Sequence, residues 1–452
     1  MVGTQDTSQD DTGAVGAEVK APTERTSATL PSPPKRVLLR FPHARLGLLA
    51  VLGPGLIAAM AGDDAGGIAT YASVGADYGF SLLWALVIIT ISLALIQEMA
   101  GRMGAVTGKG FAELVRERFG VRPTAFVMAT LVIANAGLVV SEFAGIGAAA
   151  ELFGISRYIA VPPMAVLLWW LVTNGSYRRV QNIFLVLTLA FIAYPIAAFL
   201  AGPSWGEVGR QIVRPTFHLD SSYLTLFIAL VGTTITPYMQ LYIQSAVAEQ
   251  GPSADITGAK VDAYVGSVIS DMVAGFIIIA TGATLFVVGA HVQTAEDAAR
   301  ALEPFAGKYA TIVFGLGLFG ASMLAAGVLP LATAYSVTEA FGFEKGISRT
   351  FREAPIFLGL FTGLIAVGAA IALIPGINVI TLLVSTQVIN GMLLPIVLIT
   401  ILLLVNDREL MGKRVNGRLY NAISWFTVGS VVLLSTIYLV ITLVGLFGFR
   451  VG

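Results

Sequence analysis

Eleven apolar stretches, each long enough to cross about 30 Å of hydrocarbon as a helix, leave this chain few folds to choose from. They run near 46–76, 81–103, 124–152, 158–175, 181–202, 222–248, 262–290, 309–338, 354–374, 378–405 and 421–448. Backbone N–H and C=O groups in lipid must be satisfied within the protein, so segments of this length predict a bundle of transmembrane helices. The composition agrees, with 56% hydrophobic and only 12% charged residues, as expected of an integral membrane protein. A formal net charge of zero gives no reason to expect a nucleic-acid partner, and the lipid bilayer is the expected surroundings. There is no cysteine, which excludes a disulfide framework, a thiolate metal site and a cysteine nucleophile. Residues 1–34 are polar and rich in Thr, Ser and Pro without a signal-peptide pattern, so 1–45 reads as a disordered tail ahead of a transmembrane domain over 46–452.

The basic residues set the expected orientation. With the N-terminus inside, all but six of the 27 Lys and Arg fall on cytoplasmic segments. The six outside are Arg157, Arg210, Arg214, Arg300, Lys308 and Arg450. The chain is therefore expected to be a multi-pass protein of the plasma (inner) membrane, N-terminus cytoplasmic and C-terminus extracellular.

Two of the spans interrupt their own helices. In the first, Gly62-Asp63-Asp64-Ala65-Gly66-Gly67 puts adjacent carboxylates inside an otherwise apolar segment, at about 2.5–3.5 kcal/mol each on insertion scales unless a partner or cation compensates. The flanking glycines let the helix break, freeing carbonyls to face a ligand. A cap on the following helix explains one carboxylate, not two. In the sixth span, Gly232-Thr233-Thr234-Ile235-Thr236-Pro237-Tyr238 places a proline mid-membrane, removing a backbone hydrogen bond. The two interruptions occupy corresponding places in two five-helix halves, which points to an inverted-repeat carrier with its site between the repeats. The repeats are expected over about 46–202 and 222–405, with an eleventh helix over about 421–448.

Short motifs then resemble a known family. Gly53-Pro54-Gly55, the Asp64 region, Thr107-Gly108-Lys109 and Ala112-Glu113 resemble the Nramp family of divalent-metal transporters, as do Ser385-Thr386-Gln387-Val388, Leu394-Pro395 and Asn406-Asp407-Arg408-Glu409-Leu410-Met411-Gly412. The resemblance runs from about 46 to 415 and implies an all-α LeuT-type fold, two inverted five-helix repeats with helices 1 and 6 broken. It also implies a metal site at the breaks that includes Asp64 and Gln387, with no cofactor beyond the transported ion.

The departures are as informative. Where the family typically has Asp-Pro-Gly-Asn, this chain has Asp64-Ala65-Gly66-Gly67; where it has Met-Pro-His, this chain has Thr236-Pro237-Tyr238. The family's Asp-x-x-Glu in the third helix reads Val139-Val140-Ser141-Glu142. A thioether, a histidine and one acid of the proton route are thus absent, a pattern that resembles the divergent Nramp-related magnesium transporters. Chemistry points the same way: oxygen donors suit Mg²⁺, Ca²⁺ and Mn²⁺, and reluctantly dehydrating Mg²⁺ favours a roomy site with few direct ligands. Gly67 and Thr236 are expected to enlarge the site and make it more polar.

The expected ligands or water-holders are the side chains of Asp64, Asp63 and Gln387 and the carbonyls and hydroxyls of Ala65, Gly67, Thr233 and Thr236, with Asn390 a weaker candidate. Glu142, Tyr238 and Asp271 are candidates for the pathway or its energy coupling. Glu142 fits equally well a buried acid bonded to a neighbouring helix, and Asp271 fits better as structural. Glu98 reads as near the cytoplasmic surface and solvated. The histidines, His43, His218 and His291, fall in the tail or external loops, so no imidazole serves as a proton switch within a span. The expected activity is uptake of Mg²⁺, and also Mn²⁺, by alternating access without protons. The alternatives are a proton-coupled Mn²⁺/Fe²⁺ carrier, an amino-acid permease of the same fold, and a pore. No enzyme constellation is present, and the sequence leaves the oligomeric state open, a monomer being sufficient.

Overall fold

A computed structural model of the chain describes residues 54–174, 192–218, 220–248, 255–303, 307–345 and 349–446. The tail over 1–45 and His43 lie outside the described residues, as does the first half of the fifth expected span. The helices in chain order are α1 (Pro54–Gly62), α2 (Ala65–Tyr78), α3 (Leu83–Thr107), α4 (Phe111–Phe119), α5 (Val121–Leu152) and α6 (Arg157–Thr173). They continue as α7 (Ala193–Leu200), α8 (Trp205–Val213), α9 (Ser221–Thr234), α10 (Pro237–Ala248) and α11 (Ile256–Thr284). The last are α12 (Ala295–Arg300), α13 (Ala310–Phe341), α14 (Pro355–Ala372), α15 (Val379–Val405), α16 (Arg408–Met411) and α17 (Arg418–Leu446). Among the described residues, eight helices, counting α9 with α10 as one, are long and apolar enough to cross a membrane. The protein is a multi-pass helical membrane protein.

Both expected breaks are present. The first span is divided at Asp63-Asp64 into α1 and α2, and the sixth at Ile235-Thr236 into α9 and α10. α11 packs along α1, α2 and α3, while α5 packs along α13, α14 and α15. The four half-helices lie between these walls, and the largest buried side chains include Tyr71, Tyr223, Tyr238, Phe143 and Phe361.

Small residues bring backbones together where the site is built. Asn390 on α15 donates Nδ2 to the Gly232 carbonyl of α9 at 2.7 Å, and a Cβ on Gly232 would collide with the backbone of Gln387 and Gly391. Such close approach is the usual use of small residues between membrane helices. We therefore expect Gly232→Val to cost about 1–3 kcal/mol through overpacking, read as a lower unfolding temperature in detergent. An unchanged temperature would mean that α9 and α15 are not held this close.

Candidate cation site

The two breaks face one another. Tyr238 Oη, at the start of α10, donates to the Ala61 carbonyl at 2.7 Å. Thr233 Oγ1, near the end of α9, lies 3.5 Å from the Gly62 carbonyl, and Tyr71 Oη of α2 is 3.3 Å from Thr234 Oγ1. A helix that stops leaves carbonyls free at its C-terminal end and N–H groups free at the next N-terminus. Here the carbonyls at the end of α1 are met by side chains from the sixth span, so the broken segments support each other.

Asp64 is both a cap and something more. Its Oδ1 accepts from Gly67 N at 2.7 Å, capping α2, and from Gln387 Nε2 of α15 at 3.1 Å. Its Oδ2 and Gln387 Oε1 are buried with no hydrogen-bond partner among the described residues. The Asp64 residue is 1% exposed. Two acceptor oxygens without donors, one of them on a carboxylate, are costly in a dry site. Glu142 on α5 reaches the same place, its Oε2 accepting from Ala65 N at 3.3 Å.

Several sequence expectations change in detail. Asp63 does not share this site: its Oδ2 accepts from Ser270 Oγ of α11 at 3.0 Å, so adjacent carboxylates turn to different helices. Ala65 and Gly67 are not carbonyl donors. They lie in the first turn of α2, where N–H groups lack a partner in the helical ladder and carbonyls enter it; the carbonyls that side-chain hydroxyls approach at this break are those of Ala59, Ala61 and Gly62. Gly67 does not widen the site, because a Cβ there would lie 2.7 Å from the Gly62 carbonyl oxygen and 2.8 Å from Thr233 Oγ1. Thr236 Oγ1 donates to the Thr233 carbonyl at 2.9 Å, leaving only its lone pairs for an ion or water. Tyr238, a coupling candidate, ties α10 to α1 as described above.

Asp271 is buried with Oδ2 unpartnered, and lines a groove of about 340 Å³ between α3 and α11 that also includes Thr90 and Met272. Glu98, expected to be solvated, is buried. It accepts from Arg102 Nε at 3.0 Å and Tyr420 Oη at 2.9 Å, because α17 covers that face of α3. Sequence reasoning missed Met239. It is buried, its methyl would collide with a Cβ on Gly62, and its sulfur lies 4.0 Å from Gln97 Nε2. Its place three residues after Thr236 on α10, one helical turn on, was the available signal.

Paired half-helices enclosing buried, unpartnered acceptors define a secondary transporter of the LeuT type. Comparison with solved structures agrees on the fold. A manganese transporter of Eremococcus coleocola superimposes with a TM-score of 0.70 at 18% identity, over 91% of each chain. MhsT in complex with L-phenylalanine superimposes with a TM-score of 0.56 at 13% identity, covering 88% of this chain and 98% of that one. A divalent metal cation transporter MntH from Bacillus subtilis (strain 168) is 27% identical over 416 residues, 88% of this chain and 93% of that protein. The family profile described as natural resistance-associated macrophage protein-like matches residues 55–442. The chain belongs to the Nramp family.

Proposed function

We propose that the protein takes up divalent metal cations across the plasma membrane by alternating access, with Mg²⁺ as its principal cargo and Mn²⁺ also carried. The observation that carries this reading is the pair of buried acceptors, Asp64 Oδ2 and Gln387 Oε1, left without donors where the two helix breaks meet. Relatives named for divalent metal and manganese transport support the divalent class. The preference for Mg²⁺ rests on the donor set. Asp64, Gln387, the hydroxyls of Thr233 and Thr236 and the Gly62 carbonyl are all oxygens, which suit hard cations. Few of them are free, which suits an ion that keeps several of its waters.

The energy source follows from what is missing. Val139, where the family resemblance implies an acid, is buried against Gly368 of α14. Tyr238 stands where the resemblance implies a histidine, and its hydroxyl is engaged with Ala61. With the N-terminus cytoplasmic, an inside-negative potential drives a cation inward by about 2.3 kcal/mol per charge per 100 mV. A divalent ion thus gains about 4.6 kcal/mol per 100 mV, over a thousandfold in equilibrium accumulation.

Uptake into proteoliposomes under one imposed potential, with Mg²⁺, Mn²⁺, Ca²⁺ and Fe²⁺ compared, tests the substrate assignment. We expect Mg²⁺ flux, inhibited by Mn²⁺. Robust Mn²⁺ flux without Mg²⁺ flux would replace this reading with that of a transition-metal carrier.

A further inference from the structure

Asp63 is left over by the divalent site. It is fully buried at the break, yet its only hydrogen-bond donor among the described residues is Ser270 Oγ at 3.0 Å. That hydroxyl also lies 2.9 Å from the Ala59 carbonyl of α1, and a serine has one proton to give. The hydroxyl can therefore serve only one of the two at any moment, and Asp63 Oδ1 has no partner among the described residues. A buried ionised carboxylate in this state is strongly disfavoured. Three oxygens of different kinds converge here: carboxylate, hydroxyl, and a carbonyl near the C-terminal end of a half-helix. The last is a recurrent place for monovalent ions in broken-helix transporters.

We propose that Asp63, Ser270 and the Ala59 carbonyl hold one Na⁺ between α1 and α11, separate from the divalent ion at Asp64. Asp63 supplies the charged donor, the Asp271 carboxylate of α11 lies near enough to add to the negative field, and all the donors are hard. The separation follows from the partners, since Asp64 bonds Gln387 on α15 whereas Asp63 bonds Ser270 on α11. The bound ion lets the Ser270 proton go to one acceptor while the cation serves the other, so it fastens the inner half-helix α1 to the α11 wall. This site stands whether Mg²⁺ or Mn²⁺ is the cargo.

Binding of ²²Na⁺ to the purified full-length protein, at ionic strength held constant with N-methyl-D-glucamine chloride, tests it. The wild type is expected to bind ²²Na⁺ saturably, close to one ion per chain, with K⁺ competing poorly and Mg²⁺ not displacing it. Asp63→Asn and Ser270→Ala should each weaken binding at least tenfold, and Asp64→Asn should retain it. No saturable binding by the wild type, or wild-type affinity in Asp63→Asn, overturns the proposal. Stoichiometric displacement by Mg²⁺, or loss in Asp64→Asn, places the monovalent ion in the divalent site and overturns it equally. The wild-type displacement result decides the matter even if a variant fails to fold.

Discussion

Asp64→Asn should yield a folded protein that no longer transports divalent cations. The substitution separates the two roles of this residue. Asparagine is as good an N-cap as aspartate, so Gly67 N keeps its acceptor and α2 its start. Gln387 likewise keeps a polar neighbour. What disappears is the charge on the carboxylate whose Oδ2 has no protein partner. Truncating one side of a buried charged contact costs about 2–5 kcal/mol, so a loss of about thirtyfold or more in divalent affinity is expected. Asp64→Ala removes the cap as well and should add about 1 kcal/mol of destabilisation. Binding and uptake measured on both variants, alongside their unfolding temperatures, give the comparison. Near-normal uptake by Asp64→Asn would reduce Asp64 to a cap and move the substrate elsewhere.

Thr236→Met should shift preference from Mg²⁺ towards Mn²⁺ and Cd²⁺, by at least about tenfold in relative affinity, or about 1.4 kcal/mol. The position lies in the break between α9 and α10 and is buried. A thioether there adds a soft donor, which favours softer metals over Mg²⁺, and removes the hydroxyl that satisfies the Thr233 carbonyl. Gly67→Asn is not a useful companion, because the Gly62 carbonyl and Thr233 hydroxyl occupy its space. Met239→Leu is the better control. Its sulfur sits beside Gly62 and Gln97, and the swap nearly conserves volume. If selectivity rests on oxygen donors alone, Met239→Leu leaves the Mg²⁺/Mn²⁺ ratio unchanged. A ratio unmoved by Thr236→Met, or a large change in Met239→Leu, would count against that account.

The helix breaks were legible because the physics that produces them is local. Charges and glycines inside an apolar span, or a proline in its middle, disrupt a helix wherever the chain folds. The directions taken by Asp63 and Asp64 were not legible. Neighbouring residues at a break leave the backbone on different sides, and the choice is made by Ser270 and Gln387, more than two hundred residues further on. The same holds for Glu98. Proximity to a predicted helix end suggested solvent, but Tyr420 of α17 covers it. Ala65 and Gly67 were misread as carbonyl donors for a simpler reason. The break falls at Asp63-Asp64, so these two residues begin a helix rather than end one.

The central claim is that the membrane potential alone drives Mg²⁺ through this site. Where the family resemblance implies a proton route, Glu142 is the one carboxylate present, and it lies beside the break at Ala65. Tyrosine, with a reference pKa of about 10, is a poor proton acceptor at neutral pH. The decisive measurement is internal pH, read with an entrapped dye, while Mg²⁺ enters proteoliposomes under an imposed inside-negative potential. The account predicts Mg²⁺ entry without acidification of the lumen. Acidification that tracks Mg²⁺ entry and vanishes in Glu142→Gln would contradict it.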